Sequence, residues 1–132
     1  MRAHDTYDYA VIRVVPRVER EEFVNVGILL SCEATRYLEA RIEFDEARVR
    51  ALDPAIDLAA LRRHLDAFPT ICRGGAESGP IGQLPLRARF HWLTAKRSAI
   101  IQTSPVHTGR CTDMAATMEH LLERMVRVAP RS

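Results

Sequence analysis

The chain has 132 residues, 47% hydrophobic and 27% charged, a length and mixture that suit one folded domain and exclude a disordered polyelectrolyte. Nineteen basic residues against seventeen acids leave a formal charge of +2, too mild for the footprint of a dedicated nucleic-acid binder. No apolar run approaches the roughly 20 residues that cross a bilayer, and Met1-Arg2-Ala3-His4-Asp5 lacks signal-peptide character, so a soluble cytoplasmic chain is expected.

Residues 7–16 (Tyr-Asp-Tyr-Ala-Val-Ile-Arg-Val-Val-Pro) are rich in β-branched and aromatic side chains and are stopped by proline, which predicts a strand. A charged connection follows, and residues 23–32 give a second apolar run with Asn25 and Gly27 inside it. Residues 37–44 alternate strictly, Leu38, Ala40, Ile42 and Phe44 against Glu39, Arg41 and Glu43, as a strand with one wet face must. The four-residue link between the second and third runs suits an antiparallel hairpin. Residues 46–52 then suit a short helix, and Asp57 is placed to cap a longer one carrying Leu58, Leu61, Leu65 and Phe68, ended by Pro69 and Gly74-Gly75.

Residues 73–84 are the loosest stretch and read as a flexible loop inside a single domain spanning residues 1–132. The segment 86–93 fits either alternation or a helix after Pro85, and the helix is preferred. Residues 98–104 suggest a fourth strand, closed by Pro105 and a loop through His107 and Gly109. Thr112 is placed to cap a last helix whose Met114, Met118, Leu121, Leu122 and Met125 make one apolar face. The order predicts an α+β fold, an antiparallel or mixed sheet of about four strands with two to four helices packed mainly on one face.

Four blocks carry a resemblance: Tyr9-Ala-Val-Ile-Arg-Val-Val-Pro16, Glu22-Phe-Val-Asn-Val-Gly-Ile28, Phe90-His-Trp-Leu-Thr-Ala-Lys-Arg-Ser98 and Ile101-Gln-Thr-Ser-Pro-Val-His-Thr-Gly109. Together they resemble the bacterial family called domain of unknown function 3037, across most of the chain. The resemblance implies a HipA-like kinase as a partner and delivers no reaction. Lys96 stands where it implies proline.

Arg13, Asn25, Arg97, Gln102, Ser104 and His107 are polar residues in or beside apolar strand segments, and they form the candidate binding set. Arg13 shares a strand face with Tyr9, Val11 and Val15, where a guanidinium drawn out of water needs an anion. A carboxylate or phosphate ligand would supply it; an internal acid, or an aliphatic stem with its head in water, is the plainer account. Asn25 with Gly27 also reads as a bulge or a close backbone approach, and Ser104-Pro105 and Thr108-Gly109 as ordinary turn chemistry.

A small enzyme acting on an anionic or nucleotide substrate is the main alternative, with His107 as base, Ser104 or Cys111 as nucleophile, and Arg13 and Arg97 as clamps. Nucleic-acid binding through residues 87–97 is a third reading. The chain has neither a Gly-x-x-x-x-Gly-Lys phosphate loop nor a dinucleotide fingerprint, and Cys32, Cys72, Cys111, His64, His91 and His107 show no metal-ligand spacing. No metal and no cofactor are therefore expected, and a small binding or interaction module is the preferred reading.

Overall fold

Strand β1 (Asp5–Val14) organises the sheet because it is the one strand long enough to hold several neighbours. The computed structural model describes residues 4–96 and 99–128. On one side β1 pairs antiparallel with β2 (Val24–Cys32), which pairs in turn with β3 (Tyr37–Ile42). On its other side β4 (Ile101–Thr103) covers residues 12–14 and β5 (His107–Cys111) covers residues 5–9, laid end to end.

The junction between β4 and β5 is a one-residue register shift around Pro105, which has no N–H to give a ladder. Ser104 bridges it. Its backbone N–H donates to the Val11 carbonyl at 2.8 Å, while its hydroxyl accepts from the Val11 N–H at 2.8 Å, the bond its own carbonyl would make in a regular rung. The hydroxyl proton goes to the Pro105 carbonyl at 2.9 Å.

A second shift lies in β2. Ile12 faces Gly27 and Arg13 faces Asn25, so Val26 is the extra residue of a bulge. Gly27 also meets β3 closely, since a Cβ there would stand 2.6 Å from the Arg41 carbonyl oxygen. Both structural readings of the Asn25–Gly27 segment hold at once, with a strand rather than a helix as the close neighbour.

Helices cover both faces unequally. Helix α1 (Glu46–Leu52), α2 (Leu58–Arg73) and α4 (Leu86–Thr94) pack Val49, Leu61, Leu65, Phe68, Phe90 and Leu93 against Ile12, Val14, Leu29 and Ala40. Helix α5 (Met114–Met125) alone packs the opposite face, setting Met118, Leu121 and Leu122 on Val11, Ile28 and Leu30. Each such fully buried aliphatic or aromatic side chain contributes about 1.5–3 kcal/mol. The class and the apolar faces are as the periodicity implied, but the described residues form five strands and five α-helices, and α5 lies across the sheet from α1, α2 and α4.

Local differences have local causes. Asp45 and Asp57 cap α1 and α2 through their carboxylates, whereas α5 is capped by Asp113, whose Oδ1 accepts from Ala116 N–H, and not by Thr112. Helix α2 runs through Pro69 to Gly74, which takes φ +71° and ends it. The segment expected as a loop at 73–84 holds the end of α2, a 3₁₀ turn at Ala76–Ser78 and a one-turn α3 (Gly79–Gly82). The helical reading of 86–93 is correct, while the expected loop through His107 and Gly109 is β5; five polar or small residues extend there because β1 supplies the pairing.

Arg127 fastens the end of the α5 segment to the sheet. Its guanidinium bonds Glu43 at 2.6 and 2.7 Å and Glu123 at 2.9 Å, and it also reaches Glu119, which Arg41 of β3 holds at 2.8 Å. No helix among the described residues is long and apolar enough to cross a membrane.

Candidate functional site

Pairing register decides which candidate residues share a surface. Arg13 stands opposite Asn25 on β2 and Gln102 on β4, and His107 stands opposite Tyr9. Directly opposed residues in an antiparallel pair project to one side. Arg13, Asn25, Gln102, Ser104 and His107 therefore all belong to the face that carries α5, and Arg97 lies outside the described residues.

Sharing a face is not sharing a cavity. Four residues of β1 separate the Arg13 rung from the His107 rung, about 13 Å along a strand. Arg13 also leans the other way, because its guanidinium carbon sits 4.0 Å from the centre of the Phe23 ring, and Phe23 precedes Val24, the partner of Val14. His107 is exposed and lies against Tyr9 with ring centres 5.3 Å apart. A groove of about 690 Å³ beside β4 is lined by Gln102 and Ser104 together with residues 94–96, 103, 105 and 106, and neither Arg13, Asn25 nor His107 lines it.

Each candidate has a distinct chemical state. Ser104 is buried and its hydroxyl is engaged with backbone on both sides, which leaves it no role as a nucleophile in this geometry. The Gln102 amide donates to the Ala99 carbonyl at 2.8 Å, and the Asn25 amide nitrogen donates to the Met125 carbonyl at 2.9 Å, tying β2 to the end of α5. Arg13 is different. It makes no ion pair among the described residues, its Nε is buried without an acceptor, and burial holds its guanidinium below the ordinary arginine range. The Asn25 Oδ1 across the rung is likewise buried without a donor. A buried polar atom without a partner costs about 1–3 kcal/mol.

The basic stretch at 87–97 is partly spent internally. Arg87 bonds Asp8 at 2.7 Å, whose other oxygen accepts from the Thr108 hydroxyl at 2.7 Å, joining α4, β1 and β5. Arg89 donates to the carbonyls of Ile71, Cys72 and Leu84 and so closes the end of α2. Cys72 is buried beneath it, and desolvation pushes its thiol up to about 12, far from the thiolate that reacts. Among the described residues no three His, Cys, Asp or Glu side chains stand together to hold a metal ion.

Phe23 escaped the sequence reading. It follows a charged run and immediately precedes β2, a pattern that marks a strand edge as readily as a core position, yet 46% of it is exposed with Arg13 laid over its ring. The signal available was the odd apolar residue next to Glu21 and Glu22 at the mouth of a strand.

Comparison with known proteins returns one family. Residues 9–126 match the model of a family described as a protein of unknown function (DUF3037). No curated protein and no solved structure matches the chain.

Proposed function

We infer that this chain, which belongs to the DUF3037 family of proteins of unknown function, is an interaction module of the bacterial cytoplasm that receives an acidic side chain of a protein partner on Arg13 and Phe23. The observation that carries the reading is a half-buried guanidinium that pairs with no acid among the described residues and a half-exposed aromatic ring beneath it. Arginine and aromatic side chains held together this way supply most of the energy at protein interfaces, because the fork grips a carboxylate in two bonds while the ring excludes water. Cation–π contact orients the fork without consuming its N–H groups.

A HipA-like kinase, the partner implied by the family resemblance, is the first protein to test. Calorimetric titration with a HipA-like kinase should give a complex that Arg13→Met weakens at least tenfold and Phe23→Ala by a similar factor. Thermal unfolding should not fall for Arg13→Met, since the substitution removes a buried Nε that has no acceptor and keeps an apolar stem on the Phe23 ring. A complex indifferent to both substitutions would sink the reading.

A further inference from the structure

We propose that the free edge of β4 is a second docking site, built to pair with an extended, acid-flanked peptide segment of another protein. β4 ends the sheet, with no strand beyond it among the described residues. Its inward groups are fixed by two bonds, the Val15 N–H to the Ile100 carbonyl at 2.6 Å and the Ser104 N–H to the Val11 carbonyl at 2.8 Å. Antiparallel bonding alternates along a strand, so residues 100, 102 and 104 face β1, while Ile101 and Thr103 present their N–H and C=O groups outward. An unpaired row of this kind is a template for another backbone.

The surroundings say what kind of segment fits. At the Ile101 end a groove of about 400 Å³ runs between β4, α2 and α4, walled by Phe68, Trp92 and Ile100, with Trp92 39% and Ile100 45% exposed. At the Thr103 end lies the groove of about 690 Å³ described above. Arg63 lines the first and Lys96 the second, no carboxylate lines either, and neither cation makes an ion pair among the described residues. A strand laid on β4 would thus set apolar side chains beside Trp92 and reach a cation near each end. The same charge pattern opposes edge-to-edge pairing of two copies, and Pro105 stops the pairing surface after Thr103.

Trp92 is the chain's single tryptophan and reports directly on the groove. The full chain would be titrated with the capped peptide Glu-Thr-Val-Thr-Val-Thr-Glu, following tryptophan emission and iodide quenching. Saturable binding with a Kd below about 1 mM, a shift of emission to shorter wavelength and reduced quenching are expected. A lysine-ended counterpart should bind at least fivefold more weakly at low salt. N-methylation of one alternate set of peptide amides should abolish binding, and of the other set leave it within about twofold.

Thr103→Pro removes an outward donor and no bond to β1, and should weaken binding at least tenfold. If that variant fails to fold, the N-methylated peptides decide on the unaltered chain. No saturable binding up to about 1 mM, or equal effects of the two methylated sets, overturns the proposal. A concentration-dependent dimer abolished by Thr103→Pro would give the edge to a second copy and overturn it as well. Arg13→Met should leave peptide binding within about twofold, which separates this site from the Arg13–Phe23 surface.

Discussion

The two faces of the sheet are finished to different degrees. On the face under α2 and α4, polar groups close on one another: Arg87 and Thr108 share Asp8, and Arg89 takes three carbonyls, with the buried hydroxyl of Ser31 left without a partner. On the other face a single helix covers β2 and part of β1, and the residues beyond it remain half-buried or exposed, among them Tyr9, Arg13, Gln102 and His107. A fold can hold itself together through one face and leave chemistry undone on the other. The contrast is the ground on which we propose recognition where internal pairing stops, on the thinly covered side and along the β4 edge it shares.

The sharpest way to test that contrast is to cut one aromatic from each side. Phe90 is fully buried beneath the sheet, so Phe90→Ala should cost about 3–5 kcal/mol in urea unfolding, while Phe23→Ala should cost under about 1 kcal/mol. Comparable losses would erase the distinction.

Ser104 offers an intermediate case. Ser104→Ala strands the buried Val11 N–H and should cost about 1–3 kcal/mol of stability, measured by the same unfolding curves. A silent substitution would mean that the Ser104 carbonyl takes over the bond and that the junction needs no side chain.

The smallest effect concerns how α5 is held. Hydrogen bonding to Arg127 keeps the Glu43 and Glu119 carboxyls below their ordinary value of about 4.5. Groups whose folded values are depressed contribute stability that is present above the unfolded value and lost as pH falls through the folded one. Melting temperature should therefore drop between about pH 5 and pH 3 more steeply in the native chain than in Arg127→Gln, by a few degrees, and less so in high salt because these side chains are partly in solvent.

Much of the scaffold could be read from side-chain order. The first three strands, α1, α2 and the apolar face of α5 follow from alternation, caps and helical spacing, which are properties of neighbours in sequence. β5 could not be read this way, because Thr108 is the one β-branched residue among His107, Thr108, Gly109, Arg110 and Cys111, and the segment extends where β1 supplies the pairing. The placement of α5 opposite the other helices was also hidden, since an amphipathic stripe says that a helix is covered and not by which face.

The shared surface of the candidate residues was legible, and a common cavity was not. Register puts Arg13, Asn25, Gln102, Ser104 and His107 on one surface, as their shared position in apolar segments suggested, but Ser104 turned out to complete a ladder and His107 to stand apart from Arg13. Spacing along the chain carries no information about which way a long guanidinium leans. Only the bulge and the ring of Phe23 decide that.

β1 has a temporal consequence. Residues 5–14 are made well before the strands that complete their second side, residues 101–103 and 107–111. During synthesis that flank stays unmatched until residues 101–111 have emerged, so closing the sheet is a late, long-loop event in the folding of this domain. A growing chain of this kind spends its longest interval with a half-dressed hydrophobic strand, and a chaperone has most to do there.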